Sequence, residues 1–358
     1  MKTNPQIILV MGVTGVGKST FIKYATGCDV VVGHGQSSCE YGQIDAKDFR
    51  ANHYVLQTGT AKVQCFQIPQ TNFFLMDTPG FDDTHISDTQ ILREIAQALL
   101  DSFNDKAEIQ GALYIHPVVE ARMRGSGVKN LRMFKKVLGM NGMKNCRLVT
   151  TKWKLVEEAV GADREKELCE SDDFWRPLVR AGATTVRFDD STESAMNILG
   201  PLVFGPSFEP QLLGELRDGT TLPQTEAGQV VNDDVEEATK AHATELKELE
   251  KEKMEALAQK DFEYAAQLEE EKKKHQAKVD QLEKDRKMLD TPITSSGAGR
   301  FFARWVARAG VVVAGAVATY MSGGLLAPHA AMLYAATEQA LQEDSKSCRR
   351  SGREPPRR

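Results

Sequence analysis

Residues 12–19 read GVTGVGKS, a complete match to G-x-x-x-x-G-K-[ST]. The flanks restrict the fold as much as the motif does. Residues 7–11, IILVM, form a continuous apolar run of the kind a strand shows when both its faces are covered. Thr20, Phe21, Ile22 and Tyr24 continue at helical spacing, and Gly27 can end that helix. A strand, a glycine loop and a helix in that order bring backbone N–H groups and the positive end of a helix to bear on an anion. Gly12, Gly15 and Gly17 let the chain approach a phosphate closely, and Val13, Thr14, Val16 and Thr20 add their amides to the same cradle. Lys18 can reach β- and γ-phosphate oxygens, and the Ser19 hydroxyl can ligate Mg²⁺. A turn that merely joined a strand to a helix would have no use for the Lys-Ser pair. The stretch implies a bound nucleoside triphosphate with Mg²⁺.

The first 205 residues alternate strand-like and helical patterns, the signature of a mostly parallel α/β sheet. Strands are expected at 7–11, 61–68, 72–77, 111–116, 146–151 and 184–188, with helices at 87–103, 129–138 and 161–181. Such a sheet binds its ligand beyond the carboxyl ends of its strands. At the end of one strand stands Asp77-Thr78-Pro79-Gly80. An aspartate there can hold Mg²⁺ through water, and the Gly80 N–H can face a γ-phosphate. The same four residues can also form an ordinary turn.

The pair GVTGVGKS and DTPGFDDT resembles the G domain of the septin-like and immunity-associated (GIMAP-type) GTPases, with the nearest likeness to fungal G domain-containing proteins. The stretch 111–139, a strand, an Arg-rich loop and a helix, adds to that resemblance, which covers about residues 6–194. It implies GTP and GDP as ligands, with Mg²⁺. It also implies a switch loop within 32–40 where a Ser or Thr meets the metal; Ser37 and Ser38 both qualify, and Ser38 is taken as the ligand. His34 in that loop could touch phosphate or a partner subunit.

Base recognition departs from the family pattern. Thr151-Lys152-Trp153-Lys154 resembles [NT]-K-x-D, and Lys152 can lay its apolar stem along a base. The aspartate that would accept from guanine is Lys154 here, which only donates. Trp153 could stack on the base or face outward. By resemblance, a second base loop follows the last strand at Asp189-Asp190-Ser191, where Asp189 or Asp190 could supply the missing acceptor. A solvated turn is the alternative.

The position directly after Gly80, where a Ras-type GTPase carries its water-orienting Gln, holds Phe81. A phenyl ring cannot orient water, so intrinsic hydrolysis is expected to be slow, and no catalytic residue is assigned. Asp82, Asp83, Thr84 and His85 follow closely, and Arg122 and Arg124 either act across a dimer interface or are solvated loop charges.

Beyond residue 205 the composition changes. Residues 206–229 are rich in Gly, Pro and Thr and read as a linker. Residues 230–290 are dense in Glu, Lys, Ala and Leu and contain no Gly or Pro, which reads as one long charged helix. Leu268, His275, Leu282 and Leu289 recur every seven residues, favouring a coiled-coil dimer over a single exposed or back-folded helix. A short linker, 291–300, leads to an apolar segment, 301–341, whose core at 309–337 has no Asp, Glu, Lys or Arg. That core is long enough to span a bilayer and could equally form a buried hairpin of helices or insert reversibly at an anionic membrane. A basic, disordered tail is expected at 342–358.

The net charge of −5 gives no electrostatic case for nucleic acid. Six scattered cysteines without a C-x-x-C pair read as free thiols of a cytoplasmic protein, and MKTNPQ is not expected to be a signal peptide. The expectation is therefore a three-layer P-loop G domain (residues 1–205), followed by the helix and the apolar tail. It would act as a slowly hydrolysing GTP switch or assembling GTPase, a homo-oligomer through the nucleotide face or the coiled coil, cytoplasmic and peripheral at a membrane if the tail inserts. A nucleotide-stabilised scaffold without catalysis and a P-loop ATPase or kinase are the alternatives.

Overall fold

The computed structural model describes residues 4–28, 55–57, 63–81, 86–120, 123 and 125–293. Ser37, Ser38, His34, residues 82–85, Arg122, Arg124 and the segments 301–341 and 342–358 lie outside them. The strands are β1 (Gln6–Met11), β2 (Val55–Gln57), β3 (Gln64–Gln67), β4 (Phe73–Asp77), β5 (Glu108–Pro117), β6 (Cys146–Thr151) and β7 (Thr184–Arg187). The helices are α1 (Lys18–Thr26), α2 (Asp88–Asn104), α3 (Gly125–Leu138), α4 (Glu158–Glu170), α5 (Arg176–Arg180), α6 (Thr192–Val203), α7 (Gln211–Arg217), α8 (Glu226–Ala258) and α9 (Phe262–Asp290).

One sheet, ordered β2-β3-β4-β1-β5-β6-β7, runs through the molecule. Its strands from β4 to β7 pair in parallel, while β3 runs antiparallel to both β4 and β2. The apolar run of β1 divides between two faces. Ile7, Leu9 and Met11 join the core under α2, α3 and α7, whereas Ile8 and Val10 join the core under α1 and α6. That alternation is why the run has no polar position: both sides of the strand are covered. Because β4 and β5 flank β1, the chain reverses its direction of travel across the sheet at β1, and the crevice beyond the carboxyl ends of β1 and β5 is the ligand position of such a fold.

Several boundaries differ from the sequence expectation. The expected strand 61–68 shortens to β3, and β2, a three-residue edge strand, carries too little pattern to be anticipated. The expected helix 161–181 is two helices, α4 and α5, because Trp175 turns fully into the core between them and Pro177 opens the second. Residues 206–229 are not an open linker. They carry α7 and a 3-10 turn (Leu222–Gln224), with Leu212, Leu213 and Leu222 buried in the core. Their polar residues serve as helix starts: Thr225 accepts from the Gly228 N–H at 2.9 Å and caps α8.

The long charged helix is also two. Lys260 takes a left-handed φ of 61°, and the Asp261 carboxylate caps α9 at the Tyr264 N–H, 3.0 Å away. Cross-pairs His242–His275, Glu250–Lys272 and Lys253–Glu269 have nearly constant index sums, so α8 and α9 form an antiparallel hairpin. The apolar stripe read as a coiled-coil seam is used within the chain: Leu268 packs with Leu249, Ala256 and Ala265, and Leu289 enters the main core. The far end of α9 returns to the start of α2. Ser87, the cap of α2, donates to Asp285 at 2.9 Å, and Arg93 donates to the carbonyl of Met288 at 2.8 Å. Among the described residues, no helix is long and apolar enough to cross a membrane.

Candidate nucleotide-binding site

The glycine loop leaves β1 at the switch point. Gly12 has φ +147°, and a Cβ built there would lie 2.4 Å from the Ile115 carbonyl oxygen of β5. No side chain fits, so the loop must hug the sheet before it turns outward. Gly15 and Gly17 also have positive φ, 80° and 107°, and Gly17 sits at the N-cap of α1, with Lys18, Ser19 and Thr20 in the first turn. Val13 and Val16 are buried and anchor the loop, leaving Thr14 half-buried and Gly15 exposed at its tip. The Lys18 ammonium lies across the loop, donating to the carbonyls of Gly12 and Val13 at 2.8 and 2.9 Å. It is therefore within the ring of backbone that would enclose a phosphate.

Asp77 ends β4, and Val10 is its register partner on β1. No strand intervenes, so its carboxylate stands beside the glycine loop and is nearly buried. Thr78 fastens the next turn by donating both its N–H and its hydroxyl to the Val10 carbonyl, at 3.2 and 3.0 Å. Gly80 is buried just beyond, followed by Phe81, which is 2% exposed and packed into the core. Ser19 and Asp77 provide the two oxygen groups that suit Mg²⁺, which keeps waters and phosphate oxygens as its remaining ligands. Ser19 lies in the first turn after the loop, and Asp77 is in register with Val10, two residues before Gly12, so these residues fit an Mg²⁺–nucleotide.

The other side of the site is built by the loops after β6 and β7. Thr151, the last residue of β6, donates its hydroxyl to the Val16 carbonyl at 2.6 Å, tying this loop directly to the glycine loop. Lys152 follows in a left-handed conformation, φ 63°, half-buried. Trp153 is placed on the outer side. Its indole N–H donates to the Thr150 hydroxyl at 3.1 Å, Arg187 stacks on its ring at 4.0 Å, and a Cβ on Gly161 of α4 would meet the ring at 2.6 Å. That packing excludes the base-stacking alternative for Trp153. After β7, Phe188 is buried against the rings of Phe21 and Tyr24 of α1, at 5.1 and 5.9 Å. Asp189 is exposed; Asp190, at φ 61°, is half-buried and faces Lys154, Oδ2 to Nζ 3.6 Å.

The structure thus brings together Gly12–Thr20, Asp77 and Gly80 on the phosphate side, and Lys152, Lys154 and Asp190 on the other. Thr151 and Phe188 carry the rigid links between the two sides. Thr151 opens the [NT]-K-x-D resemblance, but its tie to Val16, like the packing of Phe188 on α1, could not be read from the sequence, because the partners are distant in the chain.

This arrangement defines an α/β domain with a P-loop at its switch point. No protein-family model matches the chain, and no curated protein sequence matches it. Among solved structures it is similar to Toc33 from Arabidopsis thaliana in complex with GDP and Mg²⁺ (16% identity, 53% of this chain and 72% of that chain, TM-score 0.35). It is also similar to Era from Aquifex aeolicus bound to GDP·AlF₄⁻ (18% identity, 57% of each chain, TM-score 0.34). A third likeness is to the bacterial selenocysteine-specific elongation factor EF-Sec (18% identity, 56% of this chain and 29% of that chain, TM-score 0.36). At this overlap the likenesses add nothing to what the sheet order and the loop already define.

Proposed function

We propose that the chain binds GTP with Mg²⁺ and hydrolyses it slowly, as a molecular switch or an assembling GTPase. The observation that carries this reading is the glycine loop at the switch point, with Lys18 lying across it and Asp77 in register beside it. In this reading Lys18 and the loop N–H groups stabilise the charge that develops on the phosphoryl oxygens, and Ser19 and Asp77 hold the metal. Bound Mg²⁺ would neutralise phosphate charge. Phe81, buried in the core, has no group to orient water, which supports slow turnover in the absence of a partner. The same burial favours a second reading, a nucleotide-stabilised scaffold that does not turn over. The switch loop and the C-terminal segment at a membrane stay part of the proposal.

Calorimetric titration of GTP, GDP and ATP with Mg²⁺ tests the first reading. GTP and GDP are expected to bind in preference to ATP, and Lys18→Ala is expected to weaken GTP at least tenfold while thermal unfolding of the free protein changes little. A protein that binds none of the three, or whose Lys18→Ala variant binds GTP as tightly, would overturn it. Single-turnover hydrolysis separates a slow GTPase from a scaffold.

A further inference from the structure

We propose that Asp190, held in place by Lys154, reads the Watson–Crick edge of guanine; this rests on the GTP-binding reading above. The edge presents two adjacent donors, N1–H and the 2-amino group, and only a carboxylate accepts both without reorganisation. Lys154, at the position where an acceptor is expected, donates only. The structure supplies an acceptor from the facing loop and a reason for the lysine. Lys154 Nζ lies 3.6 Å from Asp190 Oδ2, so the loop after β6 and the loop after β7 meet through this pair, two residues beyond Lys152.

The surroundings hold Asp190 rather than Asp189 at this position. Asp190 adopts a left-handed φ of 61°, a conformation that aspartate tolerates as a single residue. The flanking chain is fixed on both sides. The Asp189 N–H donates to the Ser194 hydroxyl, which itself donates to the Arg187 carbonyl, both at 3.3 Å, and Ser191 caps α6. Phe188 locks the loop to α1, and Thr151 locks the facing loop to the glycine loop. Distance from the phosphates to Asp190 is thereby set by rigid links, as discrimination between bases needs. Asp189, by contrast, is exposed. Lys154 is a positioning residue: its side chain is 69% exposed, and its role is exerted through the carboxylate it faces.

Exchange of Asp190 for Asn tests this directly. Xanthine replaces the 2-amino donor with a carbonyl, so an amide that donates and accepts suits it, and Asn tolerates the left-handed backbone. With Mg²⁺ and the full chain, Asp190→Asn is expected to lose about 10- to 100-fold in GTP affinity and to gain XTP binding by a similar factor, the discrimination of one bidentate base contact. Lys154→Met is expected to lower the GTP/ITP affinity ratio, since inosine lacks the 2-amino group, and Lys154→Arg to restore it. Gain of XTP binding cannot arise from misfolding. Wild-type protein that binds GTP while Asp190→Asn keeps the wild-type GTP/XTP preference would overturn the assignment and leave GTP binding standing. An XTP switch produced by Asp189→Asn would overturn it too. Absence of GTP binding by the wild type would instead remove the underlying reading.

Discussion

Acidification should destabilise this domain through His116, at the end of β5. The imidazole is 2% exposed and lies edge-on to the buried Trp175 ring, with centroids 6.0 Å apart. Burial pushes its pKa down from 6.5 to about 4, because the charged form would lose its water. The unfolded chain binds a proton below pH 6.5 that the folded chain refuses until about pH 4. Stability is therefore whole above pH 6.5 and is lost as pH falls toward the folded value. Integrated over the shift, the loss is about 3 kcal/mol; between pH 7 and pH 5 it is about 2 kcal/mol. Other groups also titrate there, His242 among them with a pKa lowered by burial and by the nearby Lys278 and His275 charges, so the informative quantity is a difference. Urea unfolding at pH 7 and pH 5 should show a drop in wild type that is smaller by about 2 kcal/mol in His116→Gln, whatever that variant costs at pH 7. Equal drops in the two proteins would refute the buried neutral imidazole.

Three further outcomes follow from packing and burial. Phe188→Ala should cost about 3–5 kcal/mol in urea unfolding, because the ring fills the space between Phe21 and Tyr24; a loss below about 1 kcal/mol would deny that it anchors the base-side loop. Leu289→Ala should cost about 2–5 kcal/mol and speed proteolysis near residues 259–261, since Leu289 is 1% exposed and holds the returning end of α9; unchanged stability and cleavage would mean that the hairpin does not rest on the core. Cys65 and Cys146 should not react with Ellman's reagent at pH 8 in the native protein, burial having pushed both thiols up to about 12; modification of either at the rate of a free thiol would contradict their placement.

The phosphate half of the site is legible in the sequence because its chemistry is local. Strand, loop and first helical turn are contiguous, and the residue types follow from what a phosphate needs. Asp77 is legible for a related reason: it ends an apolar run, and a parallel sheet places strand ends together. The C-terminal half is not legible in the same way. Glu and Lys at helical spacing signal a helix, yet they leave open whether its apolar stripe meets another chain or its own. Here the turn at Lys260 and Asp261 decides that matter, and neither residue is a helix breaker by type. Residues 206–229 mislead because Gly, Pro and Thr suit helix starts as well as linkers, and burial of Leu212 and Leu222 depends on a surface formed elsewhere.

Lys154 shows why the base half needs coordinates. Along the chain it reads as an acceptor lost, which leaves guanine and adenine on equal terms. In space it faces Asp190, from a loop on the next strand, and the charge that seems wrong for a base becomes a partner for a carboxylate. An exposed ion pair of this length adds under about 1 kcal/mol to stability, so the fold gives no reason to keep it. Its consequence is positional: it holds one carboxylate, on a backbone pinned through Phe188, against the loop that follows β6. Trp153 points the same way, since its ring is packed under Arg187 and against α4 and does not serve as a platform for the base. Under the assignment proposed above, selectivity on this side comes from hydrogen bonds to the base edge, with Asp190 as the acceptor.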